Sequence, residues 1–422
     1  MELIENVIWY ATLPLILIVS AFFTVYAKMP QFRIRKIIAA FKSSDSNEKL
    51  SPVATLFIAL SARVGVGTLA GTGLAIAIGG AGAIFWMWIS AIILAAATFA
   101  ENTLSQRFKQ TSSGKYYGGP AFYIKYGLKN TKLSILYAVV LVITYTLGFV
   151  AIQMNTLTTV FTESIGMPPI ITSLILSVLT MFIITGNITH ISTLIAKIVP
   201  FIAMLFLGLA TVTIIINITY IPNFFNEIIT GAFGLTPFAG GGLGLALVTG
   251  IRRGVFSNEA GIGTGAHAAA LTHHNNPKDQ GYIGILGIYL TTLISVTLVA
   301  FMIMSTGAHN NVIMTGNGIE FLQFSLHELF GRASTLILPI IIFFFGFSTV
   351  ITAYLYGVIN VKFLSRKKTA VTALRVVLLV VILIASVSSS RIIWHLVDIG
   401  VGITAMINLI AIIMLRKYVK KN

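Results

Sequence analysis

The sequence predicts an all-α polytopic membrane protein, and three observations carry that prediction. Of 422 residues, 56% are hydrophobic and only 9% charged, with a mean hydropathy of +0.93, whereas a soluble domain carries about 25% charged residues. Apolar runs recur along the chain at a length that crosses roughly 30 Å of hydrocarbon. The segments between them alternate between strongly basic and nearly uncharged.

Taken in order, the runs give about 11 expected transmembrane helices, near residues 6–27, 53–78, 82–105, 134–161, 168–186, 192–218, 224–251, 281–305, 334–361, 370–387 and 393–415. The first run, Val7 to Tyr26, is longer than the apolar core of a signal peptide. It follows Glu2 and Glu5 rather than lysines and lacks a small-residue cleavage site, so it is expected to stay as a membrane helix. The chain divides into 1–51, an extra N-terminal helix with its cytoplasmic connector, and 52–422, a ten-helix core. The longest polar segments, 106–132 and 252–280, are loops of a few tens of residues and leave no room for a soluble domain.

The formal charge of +16 excludes less than it suggests. Nucleic-acid binding needs a basic face on a soluble module. Here the cations collect in alternate segments: Arg33, Arg35 and Lys36; Arg107, Lys109 and Lys132; Arg252, Arg253 and Lys278; Arg366, Lys367 and Lys368; Arg416, Lys417 and Lys420. The opposite side holds only Arg332 and Arg391. By the positive-inside bias the N-terminus is outside and the C-terminus inside a cytoplasmic membrane. With no cysteine there is no disulfide, thiolate metal site or catalytic thiol. No nucleophile–base pair, phosphate-binding lysine loop or redox motif is visible, so neither an enzyme nor a cofactor is expected. His267, His273 and His274 lack an acid or thiol partner at ligand spacing, which argues against a resident metal.

Glycine interrupts the apolar helices in two places, at 61–71 in the second run and 238–244 in the seventh. Glycine costs about 1 kcal/mol against alanine in a helix interior, and unwound backbone at membrane depth is tolerated only around a protein-enclosed or watery cavity. Two such breaks five runs apart point to a 5+5 inverted repeat with two broken helices and the first run as an extra, the plan of secondary transporters that bind their cargo at the breaks. The plainer reading is that small residues let helices pack closely.

At these residues the chain resembles the alanine/glycine:cation symporter family, whose fold is similar to that of the bacterial leucine transporter. The likeness lies in SARVGVGTLAGTGLAIAIGGAGAIFWMWISAIILAAATFAENTL, then YYGGPAFYI, VAIQMN, KIVPF, RRGVFSNEAGIGTGAHAAA, FFFGFSTVITAYLYG and IIWHLVDIGVGITAMINLIA, and spans about 52–415. It implies a carrier of a small amino acid driven by Na⁺ symport with alternating access. The implied sodium ligands are main-chain carbonyls of Ser61, Val64 and Phe345 with the hydroxyls of Ser348 and Thr349. The implied substrate site gathers Arg63, Gly65, Val66, Gly67, Thr68, Gln153, Gly241, Gly242 and Ala353. Half-helix ends at a break suit this cargo, since the positive end attracts a carboxylate and the carbonyl end a cation. Each residue also has a plainer role: Ser348 and Thr349 as hydroxyls bonded back to their own helix, Gln153 as an interhelical bridge.

Where the family usually has threonine, threonine and asparagine, this chain has Arg63, Val66 and Thr68; a usual tryptophan is Ala353 and a usual acid is Val358. Losing an indole opens a pocket. For Arg63 three roles stay open: a structural charge, a contact to an extra substrate carboxylate, or a permanent positive group replacing a cation. Glu101, followed by Arg107, reads as an interfacial anchor. Asp398 reads as a structural partner or as part of a gate or proton path. Ser257, Asn258 and Glu259 read as an inner gate. The expected partners are an amino acid, Na⁺ and the bilayer, with no nucleic acid, in a monomer or weak oligomer. Rivals are a sodium-independent or proton-coupled exchanger and, from another class, a channel or membrane sensor, though no pore ring or output domain is visible.

Overall fold

A computed structural model describes residues 1–42, 50–234, 242–273, 276–311 and 318–420. Helices dominate from the first residues. The long apolar ones follow from composition: α1 (Glu2–Tyr26), α5 (Gly82–Phe108), α7 (Thr131–Ile165), α9 (Ile188–Ile216), α13 (Pro277–Ser305), α15 (Ser334–Leu364), α16 (Lys368–Val387) and α17 (Ser390–Met414). Shorter pieces join them: α2 (Ile34–Lys42), α6 (Pro120–Gly127), α8 (Pro169–Ile184), α10 (Ile221–Ala232), α11 (Gly242–Asn258), α12 (Gly265–Ala270) and α14 (Ile319–Phe330), which leads into α15. Among the described residues, eight helical stretches are long and apolar enough to cross a membrane, and a bent pair makes a ninth.

That pair is α3 (Pro52–Arg63) and α4 (Val66–Gly79), bent by 47°. Ser51 caps α3 by accepting from the Ala54 amide at 3.1 Å, ahead of a proline in the first turn. The helix stops at Val64 (φ −89°, ψ 77°), which leaves helical geometry, and at Gly65 (φ −126°, ψ −160°), which is extended. Gly65 is required by space, since a side chain there would collide with Thr349 Oγ1.

The expected seventh span, 224–251, is not one helix. Residues 221–232 form α10, residues 235–241 lie outside the described ones, and α11 begins at Gly242. Most of the expected second break, 238–241, therefore falls outside the described residues, while Gly242 to Gly244 are helical. A different interruption stands at 259–264, between α11 and α12, where Glu259, Gly261 and Gly263 have φ of 55°, 83° and 88°. The expected loop 252–280 is corrected with it. Arg252 and Arg253 lie inside α11 and are mostly or wholly buried, because carboxylates from α1 and α17 neutralise them there.

Helix α5 runs through the middle and packs along α11 and α13. Its second half is almost wholly buried, which its run of alanines and small polar residues permits. A two-stranded hairpin, β1 (Gln110–Ser112) with β2 (Lys115–Tyr117), turns the chain after α5. Two stretches of wider π turns, Val142–Phe149 and Tyr289–Ser295, interrupt the regular winding of α7 and α13.

Candidate functional site

The first break exposes main-chain groups that neighbours then satisfy. The Val66 amide, free at the start of α4, donates to Gln153 Oε1 of α7 at 3.0 Å. The Thr68 hydroxyl donates to the Arg63 carbonyl at 2.7 Å and meets Ser257 Oγ of α11 at 3.1 Å. On the other side, Thr349 Oγ1 of α15 lies 2.8 Å from the Ser61 carbonyl and 3.0 Å from that of Phe345. Ser348 Oγ is 3.0 Å from the same Phe345 carbonyl.

Four of the five expected sodium ligands are thus brought together. Val64 lies beside them, since Ser61, Val64, Phe345 and Ser348 all line one cavity of about 280 Å³ shared with apolar side chains of α9 and α13. The oxygens are neutral and closely grouped, a donor set that suits a hard monovalent cation. The sequence did not single out Thr352, whose hydroxyl is 2.8 Å from Ser61 Oγ. It had no signal of its own, because a threonine in an apolar helix reads as a back-bonded hydroxyl.

Of the expected substrate residues, Gly65, Val66, Gly67, Thr68 and Gln153 lie together at the break, all buried. Gly67 approaches the Phe256 ring, which stacks on Phe149 at 5.0 Å and leans on Trp394 at 5.2 Å. Ala353 is buried one turn from Thr349, and its carbonyl accepts from Thr146 at 3.0 Å. Gly241 lies outside the described residues, and Gly242 opens α11.

Two buried acids lie at the second interruption, Glu259 within it and Glu101 of α5 beside it. Glu259, read as part of an inner gate, is buried. Its carboxylate accepts from Tyr145 at 2.5 Å and Thr264 at 2.7 Å. Glu101, read as an interfacial anchor, is buried and accepts from Asn408 at 2.5 Å, while the same Asn408 amide donates to the Gly261 carbonyl at 2.9 Å. Tyr137 donates to the Ile262 carbonyl at 2.8 Å, and His267 lies between the Thr264 carbonyl and Asn360. The available signal was the close pair Gly261 and Gly263 after an asparagine and an acid, in a segment whose charges look like a loop.

A third cluster sits at the end of the bundle that holds the N-terminus. Asp398 Oδ2 of α17 accepts from Arg252 at 2.5 Å and Arg253 at 2.7 Å. Glu5 of α1 pairs with Arg252 and with His395. Arg253 also lies over the Phe256 and Trp394 rings. Asp398 is therefore an ion-pair acceptor for two arginines, one of which covers the aromatic rings.

The model of the sodium:alanine symporter family matches residues 1–422. The chain belongs to this family. Among its relatives are the amino-acid carrier protein AlsT of Bacillus subtilis strain 168, 35% identical over 97% of this chain and 88% of that protein. GlnT of the same organism, named as a probable sodium/glutamine symporter, is 36% identical over 99% of this chain and 88% of its own length. In fold the chain is similar to MhsT, solved in complex with L-phenylalanine, with a TM-score of 0.63, 13% identity and coverage of 84% of this chain and 87% of that one. The sodium:alanine symporter-family protein described here has a leucine-transporter-type fold. It is a multi-pass membrane protein and an amino-acid transporter of a cation-symporter family, not an enzyme.

Proposed function

We propose that this transporter carries a small neutral amino acid into the cell by Na⁺ symport, alternating access about two breaks that touch. The observation that supports this best is the meeting of the breaks. Thr68 of the first reaches Ser257 beside the second at 3.1 Å, while the first also offers the Ser61 carbonyl to Thr349. Backbone ends, a glutamine and a hydroxyl-rich cation site then share one buried centre, the arrangement that lets the ion and the zwitterion stabilise each other. Gly65, Val66, Gly67, Thr68 and Gln153 hold the substrate backbone, under a lid of Phe149, Phe256 and Trp394. Ser61, Val64, Phe345, Ser348 and Thr349 take the sodium ion.

In this reading eleven spans are α1 plus a ten-helix inverted repeat, with α3/α4 and α11/α12 as the corresponding broken members. The N-terminus faces outside and the C-terminus the cytoplasm. Uptake by purified protein in liposomes, with labelled amino acids and imposed Na⁺ or H⁺ gradients, tests it. Accumulation of alanine, glycine or glutamine that needs inward Na⁺ is expected, and accumulation indifferent to Na⁺ rejects sodium symport.

A further inference from the structure

We propose that α2 and the cations gathered around it bind one anionic phospholipid, with its phosphate at Arg33, Lys36 and Lys278 and its acyl chains along Phe32, Ile34 and Ile38. The place is the end of the bundle opposite Glu5, where α1 stops at Tyr26 and the chain turns aside. Lys28 and Met29 make that turn in the left-handed region, with φ of 57° and 53°. Arg33 Nε then donates to the Lys28 carbonyl at 3.1 Å, which holds the guanidinium at the mouth of the turn.

Helix α2 buries only part of its apolar surface. It packs on α13, with Ile37 and Ala40 buried. Ile34 and Ile38, four residues apart and so on one face, are each more than half exposed, as is Phe32 just ahead of the helix. A basic helix that follows a span and keeps one apolar strip uncovered lies in the interfacial layer of a bilayer, its strip against acyl chains.

Charge complementarity names the occupant. Arg33, Lys36 and Arg107 at the end of α5 are all in electrostatic reach of Lys278 at the start of α13. Lys278 Nζ also donates to the Lys420 carbonyl at 3.1 Å, and Lys420 Nζ stands over the Tyr26 ring at 4.0 Å. Five cations from four segments of the chain therefore converge. The neighbouring acid in the chain, Asp279, accepts from Asn276 at 3.2 Å. Setting the orientation of a membrane protein requires cations on the correct side, but it does not require them to crowd. Crowded like charges repel, and an anion placed among them offsets that cost. At headgroup depth the available anion is a lipid phosphate, and a lipid also supplies chains for the uncovered strip, which a free phosphate lacks.

The test is lipid retention by the purified full-length protein, delipidated in detergent, given phosphatidylglycerol or phosphatidylcholine, and read by native mass spectrometry. One phosphatidylglycerol held in clear preference to phosphatidylcholine is expected. Arg33→Gln with Lys36→Gln should lower that preference by roughly tenfold or more, whereas Lys367→Gln with Lys368→Gln, which removes the same charge from the turn between α15 and α16, should leave it unchanged. Ile34→Ser with Ile38→Ser should weaken retention of both lipids. Equal retention of the two lipids by the native protein overturns the proposal, as does an equal fall in both charge variants, the mark of diffuse attraction. Displacement of bound phosphatidylglycerol by soluble glycerol 3-phosphate overturns the lipid as occupant in favour of a free phosphate. The native protein alone decides the first and last of these, so a variant that fails to fold leaves the outcome open to no rescue.

Discussion

At Thr349 a single hydroxyl proton faces two carbonyls, those of Ser61 and Phe345, and the Ser348 hydroxyl competes for the second. Oxygens so grouped have more lone pairs than protons, and a cation among them relieves that excess. Ser348→Ala with Thr349→Val removes two of five proposed ligands. Half-maximal Na⁺ for uptake is expected to rise severalfold, while the amount of folded protein in the membrane stays near native. Unchanged half-maximal Na⁺ in the folded double variant removes the site. Gln153→Ala removes the acceptor of the Val66 amide, which then stays unpaired at a cost of about 1–3 kcal/mol, so the substrate KM should rise at least severalfold. These residues were legible through motif resemblance. Thr352 was not, because its hydroxyl looks like that of Thr72, which simply bonds back to the Thr68 carbonyl at 2.7 Å, and Ser257 was legible as part of an inner gate but not as a partner of Thr68.

Between helices the first break was legible, since Gly65 and Gly67 stand out in an apolar run, whereas most of the second expected break, 238–241, lies outside the described residues and the interruption at 259–264 was not read as one. Hydropathy averages over a window, and the stretch 224–251 is apolar on average despite Asn226 and Glu227, so it reads as one span. The interruption at 259–264 carries an acid and follows two arginines, and inside a protein those charges are tolerated because Tyr145 and Thr264 answer Glu259 while Asp398 and Glu5 answer the arginines. Gly263 shows how tightly the segment is specified. Its φ is 88°, and a side chain there would meet Pro120 and the Tyr137 hydroxyl. Gly263→Ala should cost about 1–2 kcal/mol for the backbone alone, with steric cost added. Thermal unfolding in detergent should shift downward by several degrees and transport should fall with it. Full native stability would contradict the assigned conformation.

Across the bundle, opposite ends carry opposite kinds of cluster. Glu5, Arg252, His395 and Asp398 mark one end, and Lys278, which donates to the Lys420 carbonyl at 3.1 Å, marks the other. A reporter after Lys420 is expected to read cytoplasmic and one before Met1 external, and finding both on one side would break the eleven-span reading. Asp398→Asn leaves the buried Arg253 guanidinium without its carboxylate and Arg252 with Glu5 alone, a loss of about 3–5 kcal/mol, measured as a lower unfolding temperature. The overall class was legible because composition decides it. The placement of Arg252 and Arg253 was not, because the acid they share, Asp398, lies 146 and 145 residues away.

The same seam has a consequence for assembly in the cell. Trp9 of α1 donates to the Asp398 carbonyl at 3.1 Å, and Thr12 Oγ1 lies 3.4 Å from that of Gly402, so an early helix finds its main partner in one translated some 390 residues later. Until α17 emerges from the ribosome, Glu5 and Trp9 wait in the bilayer without it. During biogenesis α1 is thus a held place, and a ribosome stalled before residue 390 should leave a nascent chain that inserts normally yet is cleared by membrane quality control.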